Sequence, residues 1–184
     1  MKRISLVVLA VASAACAARS ASAQLAQPGI GTARSDTRGL VLGFNLTGST
    51  IPDSRSFPGT GSGLGFGLTA AYGVSEHVSL FARGDAAYRV GHWDAGARYT
   101  FGSPAAALRP YVEGAYTRTG TSSQGIRSSG SGVTGGAGVQ YFVKPNLALD
   151  VGLIHSRGRF DENARVPNSR FSTTRLNIGF RWHP

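Results

Sequence analysis

The stretch from Gly132 to His155, GVTGGAGVQYFVKPNLALDVGLIH, reads as two strands and a tight turn. Side chains alternate between the faces of a strand with period two. In the first strand Val133, Gly135, Ala137, Val139 and Tyr141 share one face, and Thr134, Gly136, Gly138 and Gln140 the other. Lys144, Pro145 and Asn146 make the turn, because proline presets φ and asparagine tolerates left-handed geometry. In the second strand Leu147, Leu149, Val151 and Leu153 oppose Ala148, Asp150 and Gly152. The hairpin therefore has one apolar face and one small or polar face that carries an acid.

The same alternation recurs along the chain. Leu40, Leu42, Phe44 and Leu46 form the apolar phase of a first strand, and Leu64, Phe66, Leu68, Ala70, Tyr72 and Val74 that of a second. A third strand sets Leu80, Ala82, Ala86 and Tyr88 against Phe81, Arg83, Asp85 and Arg89. After a brief connection at Gly91 and His92, a fourth sets Trp93, Ala95, Ala97, Tyr99 and Phe101 against Asp94, Gly96 and Arg98. A fifth opposes Val112 and Tyr116 to Tyr111 and Glu113, and an eighth opposes Leu176, Ile178, Phe180 and Trp182 to Arg175, Asn177 and Arg181. The hairpin supplies strands six and seven. Long connections rich in Gly, Ser, Thr and Arg are expected at 48–62, 119–131 and 156–170, and short ones at the other end.

Eight tilted strands of about the length that crosses a bilayer, with long and short connections largely at opposite ends (the connection after strand three breaks the rule by being short), predict an all-β fold: an antiparallel up-and-down transmembrane barrel over residues 38–182. With the apolar phase toward lipid, the aromatics fall into two girdles. Tyr72, Phe101, Tyr141 and Trp182 lie at one rim, and Tyr88, Trp93 and Tyr116 at the other. Rings with a polar handle favour the headgroup level. A soluble lipocalin-like barrel would reverse the phase and has no reason to form such belts.

Residues 1–23 read as a signal peptide: Lys2 and Arg3, an apolar run, then Ala21-Ser22-Ala23 before the cleavage point. A retained anchor is disfavoured by the short, alanine-rich run. Cys16 lies within this leader, and Ser13-Ala14-Ala15 before it lack the leucine of a lipoprotein signal. Residues 24–37 read as a flexible periplasmic lead-in. The full chain carries 19 basic and 9 acidic residues; without Lys2, Arg3 and Arg19 the balance is 16 − 9 = +7. Export argues against nucleic acid and for anionic lipid or polysaccharide as partner.

The segments RPYVEGAY (Arg109 to Tyr116), GGAGVQYFVKPNLALDVG (Gly135 to Gly152) and LNIGFRW (Leu176 to Trp182) resemble the small outer-membrane β-barrel family that includes the OmpA transmembrane domain and OmpX-like proteins. The resemblance covers nearly all of 38–182. It implies location in the bacterial outer membrane and delivery by the barrel-assembly machinery through the C-terminal strand. Family members usually end on an aromatic residue; here His183 and Pro184 follow Trp182.

The interior of an eight-stranded barrel is just wide enough for side chains to fill. The inward phase holds Arg83, Arg98, Arg175 and Arg181 with Asp85, Asp94, Glu113 and Asp150, which predicts an internal salt-bridge network. Inward glycines, among them Gly43, Gly65, Gly67, Gly96, Gly136, Gly138, Gly152 and Gly179, make room for the arginines. The expected role is structural or surface interaction by a monomer with a plugged interior. The alternatives are a low-conductance pore and, less favoured, a lipid-modifying enzyme. His155 and Ser156 are adjacent and point to opposite faces, and Arg83-Gly84-Asp85 lies mid-strand rather than on an adhesive loop. His77, His92 and His183 sit at turns and the terminus without ligand spacing, so no metal or cofactor is expected. The basic outer loops, with Arg127, Arg157, Arg159 and Arg165 foremost, are candidates to contact lipopolysaccharide phosphates.

Overall fold

The computed structural model describes residues 38–50, 63–87, 90–123, 126–161 and 170–184. Its elements are eight strands: β1 (Gly39–Thr50), β2 (Gly63–Gly73), β3 (Val78–Ala87), β4 (Val90–Thr100), β5 (Leu108–Ser123), β6 (Ile126–Lys144), β7 (Leu147–Phe160) and β8 (Arg170–Trp182). Each pairs antiparallel with the next, and β1 closes on β8. The barrel is the up-and-down one expected from the sequence, and closure gives every strand a neighbour on both sides.

Gly39 and Trp182 lie at the same end, here called the terminal end, together with the turns at 74–77, 101–107 and 145–146. Those turns are tight for local reasons. Val78 O accepts from the N–H groups of Val74 (2.9 Å) and Ser75 (3.2 Å). Ser75 Oγ accepts from the N–H groups of His77 (3.3 Å) and Val78 (3.0 Å). Pro145 and Asn146 join the paired residues Lys144 and Leu147, after a register shift between Phe142 and Lys144. Gly102 has φ +89°, which suits a residue without Cβ.

Register fixes the tilt. A path perpendicular to the strands runs from Thr50 through Thr174, His155, Gly135, Gly114, Ala97, Leu80 and Tyr72 back to Leu40. It returns to β1 ten residues nearer the terminal end (50 − 40). Such a stagger requires strands inclined by roughly 35–45°.

Outward positions are apolar and exposed: Leu64 is 87%, Leu68 64% and Trp93 70% exposed. Inward positions are buried. At the terminal end Val41, Ala71 and Phe81 cluster, with Phe142 and Ala148 also buried. Charged side chains fill the middle. Toward the far end Thr47, Ser49, Thr117, Thr119, Thr134, Ser156 and Thr173 are buried beside Ile154 and Phe171. A cavity of about 10 Å³, lined in part by Asn45, Thr69, Arg83, Asp150, Asn177 and Arg181, has room for one water.

Several connections differ from expectation. The segment 119–131 is almost wholly strand, because β5 continues to Ser123 and β6 begins at Ile126. β7 continues to Phe160, so Arg157 and Arg159 stand on a strand rather than a loop. β4 begins at Val90, which makes Gly91 and His92 strand residues, with His92 buried and inward. The barrel thus extends beyond its apolar band, into a zone where neither face needs to be apolar. Residues 1–37 and Tyr88, Arg89 and Arg165 lie outside the described residues.

Candidate functional site: the interior charge lattice and the basic rim

All eight interior charges meet in one network of alternating sign. Arg175 donates from Nη1 to Asp85 Oδ2 and from Nη2 to Asp94 Oδ2, each at 2.8 Å. Arg83 reaches Asp94 Oδ2 through Nη2 (2.8 Å) and Nε (3.2 Å), and Glu113 Oε1 through Nη1 (2.8 Å). Arg98 grips Glu113 Oε2 with Nη2 (2.7 Å) and Nε (3.1 Å) and Asp150 Oδ2 with Nη1 (2.7 Å). Arg181 Nε lies 2.6 Å from the same Asp150 oxygen. Four guanidiniums face four carboxylates, so the lattice has no net charge.

Neutral side chains satisfy the remaining lone pairs. Asn45 donates to Asp85 (2.9 Å), Tyr111 to Asp150 (2.8 Å) and Gln140 to Asp150 (3.3 Å). Arg175 also donates to Ser156 Oγ (2.9 Å), which shares a hydrogen bond with Thr134 Oγ1 (2.7 Å). Thr47 donates to Asn177. The Arg98 guanidinium lies over the Tyr111 ring, 3.5 Å from its centroid. Buried charges cost several kcal/mol each unless paired and hydrogen-bonded. Here each is paired, and Arg175 Nε is the one buried lattice donor without a hydrogen-bond partner among the described residues.

The glycines serve this lattice differently from the expectation. A Cβ at Gly138 or Gly152 would collide with the Tyr111 hydroxyl, so those two admit a tyrosine rather than an arginine. Gly96 and Gly179 face the backbone of the next strand closely, and a Cβ at Gly43 would meet Arg181 at 3.5 Å.

Sequence reasoning missed other interior groups. Arg109 is fully buried near the terminal end, where Nη2 donates to Glu76 O (2.6 Å) and Nε and Nη1 have no partner among the described residues. His92 is buried toward the far end with both ring nitrogens unpartnered among the described residues. The signal for each was available: both continue the inward phase of their strands by one or two residues.

Outside, Tyr72, Phe101, Tyr141 and Trp182 are exposed near the terminal end, and Trp93 and Tyr116 nearer the far end. Tyr99 joins the first group, packing edge-on to Phe101 at 4.9 Å and stacked with His77 at 5.8 Å. Beyond Tyr116 on β5 comes exposed Arg118, and beyond His155 on β7 come Arg157 and Arg159. Arg127 lies on β6. His155 and Ser156 do point apart, but His155 has other neighbours. Arg157 Nε donates to its Nε2 (3.0 Å), so its Nδ1–H donates to Thr174 Oγ1 (2.9 Å). Ser172 Oγ is 3.4 Å from the same Nε2. With its lone pair engaged by Arg157, the imidazole is not placed to take a proton from Ser172. Arg83 and Asp85 of the Arg-Gly-Asp tripeptide are both buried.

A closed antiparallel barrel of eight strands, apolar outside and ion-paired inside, is the fold of the small outer-membrane β-barrels. The chain is similar to Neisserial surface protein A, with 20% identity, 78% of this chain and 96% of that one covered, and a TM-score of 0.60. It is similar also to the N-terminal β-barrel domain of Pseudomonas aeruginosa OprF (18% identity, 77% and 97% covered, TM-score 0.55). A third is the outer membrane protein OprG of the same species (12%, 79% and 96%, TM-score 0.50). At these identities the likeness is one of fold. No protein-family model matches the chain, and no curated protein does.

Proposed function

We propose that this chain is an exported bacterial outer-membrane barrel whose interior is sealed by its own side chains and whose role is structural or surface-interacting. The observation that carries this reading is the inversion of polarity: Leu, Phe and Trp outside, paired Arg, Asp and Glu inside. Such a surface aggregates in water and is stable in lipid. Described charges on the outward face are confined to the two rims: Arg38 and Lys144 at the terminal end, Arg118, Arg157, Arg159, Arg170 and Asp161 at the far end. The terminal end then faces the periplasm, and the far end faces outward with an excess of arginine suited to lipid phosphate. Residues 1–23 act as the cleaved leader, and β8 is the strand offered to the assembly machinery.

The alternative is a low-conductance pore. The middle of the interior is polar, but the lattice spans its cross-section, and the cavity beside it has room for one water. A plug accounts for the paired geometry better than a path does. The test is to express the full chain with its own leader, purify it from the host membrane, and reconstitute it into dye-loaded vesicles. Slower gel migration after boiling, protection from protease and retained dye are the expected results. Recovery in the soluble fraction, or dye release at low protein content, would overturn the reading.

A further inference from the structure

At the far end the outward face of β7 and β8 presents His155, Arg157 and Arg159 on one strand and Arg170, Ser172 and Thr174 on the other. Register sets Arg159 directly opposite Arg170, Arg157 opposite Ser172 and His155 opposite Thr174. All three arginines are exposed. Like charges directly opposite on one face of a sheet repel. The carboxylate described on this side, Asp161, is turned over β6: it accepts from Ser129 Oγ (2.7 Å) and lies 3.8 Å from Arg118. Arg157 is oriented by its bond to His155, which uses Nε and leaves the Nη pair for a ligand.

The surface below is shaped as well as charged. Leu153 and Leu176 begin the apolar band just under the cluster. The register path from β8 to β7 to β6 descends toward the terminal end, so a line dropped from Arg157 parallel to the barrel axis crosses onto β6 near Gly135 and Ala137. Gly135 pairs with His155 on one side and Gly114 on the other, and a Cβ added to either glycine would meet nothing within 4 Å. The result is a shallow apolar furrow beneath a basic cluster.

We propose that this face seats one phosphorylated lipid: Arg157, Arg159 and Arg170 hold a headgroup phosphate, and an acyl chain descends along the furrow at Gly135. Guanidinium forks match phosphate oxygens in a bidentate manner, and an anion between Arg159 and Arg170 turns their repulsion into attraction. Ser172 adds a hydroxyl at the same level. The proposal rests on the membrane-spanning reading given above, and names the lipid chemistry that the outward rim selects.

The test measures binding to the full chain, delipidated in mild detergent, by native mass spectrometry and titration. The probes are dioleoyl phosphatidic acid, dioleoyl phosphatidylcholine and inorganic phosphate. One phosphatidic acid should bind per barrel, about tenfold or more tighter than phosphatidylcholine, the size expected for a charged hydrogen bond. Arg159→Gln and Arg170→Gln should each weaken it about tenfold, while Arg38→Gln at the other rim leaves it unchanged. Gly135→Leu should weaken the lipid but not inorganic phosphate. Equal binding of the two lipids, or no loss in the arginine variants, would overturn the proposal. Inorganic phosphate bound as tightly as the lipid would assign the cluster to a soluble anion and overturn it too. Gel migration with and without boiling checks each variant's barrel. A chain that never enters vesicles sinks the functional reading and the lipid seat together; one that inserts and binds indifferently sinks the seat alone.

Discussion

The arginines of this barrel live in two regions, and the difference lies in who supplies the counter-charge. Inside, Arg83, Arg98, Arg175 and Arg181 each meet a carboxylate within 2.8 Å, three of them on the neighbouring strand and Arg175 across the barrel at Asp85. At the far rim Arg159 faces Arg170, and Arg118 has Asp161, its one ion-pair partner among the described residues, at 3.8 Å. The interior is a closed system that must balance its own charge. The rim is open and can take its partners from the surroundings. The same residue is therefore part of the fold in one place and part of the surface chemistry in the other.

That contrast can be broken from the inside first. Arg98→Ala leaves Glu113 and Asp150 buried without a major partner, and should lower unfolding stability by about 3–5 kcal/mol. Guanidinium titration in detergent micelles, followed by Trp fluorescence, reads it; a loss under about 1 kcal/mol would mean that the lattice is not load-sharing as drawn. The next largest effect lies on the lipid side. Leu68→Arg places a charge mid-band on β2 and should cost about 2–4 kcal/mol of insertion into vesicles. If it inserts as well as the parent chain, the outward face does not meet hydrocarbon.

A smaller change sharpens the packing claim. Gly152→Val drives a side chain into the Tyr111 hydroxyl, with an expected loss of about 1–3 kcal/mol. Combining it with Tyr111→Phe should recover part of that loss, and full additivity would contradict the contact. Least is expected at the rim: Arg118→Gln should shift stability by no more than about 0.5 kcal/mol in the same titration, since its pairing is long and exposed.

The sequence showed most of this where one face had to be apolar. Leu40 to Leu46, Leu147 to Leu153 and Leu176 to Trp182 alternate cleanly, and the same alternation on the other strands assigned the eight lattice charges, though not Arg109, to the inside. It failed past the apolar band. Residues 119–131 and 156–160 are mostly Gly, Ser, Thr and Arg, so their hydropathy shows no alternation that distinguishes strand from loop. Cross-strand hydrogen bonding holds them, and hydropathy does not report it. His92 was misplaced for the same reason, being next to Gly91 at the start of β4. The pairing inside the lattice was equally illegible. Arg175 reaches Asp85 across 90 residues of sequence, and only the register of the closed barrel brings them together.

The most direct test of the sealed interior is single-channel recording of the wild-type chain in planar bilayers beside Arg98→Ala, with boiled and unboiled gel samples showing that both are folded. The account predicts no conductance steps from the wild type. Reproducible small steps from the wild type that grow in the variant would mean that the charges line a path, and would contradict it.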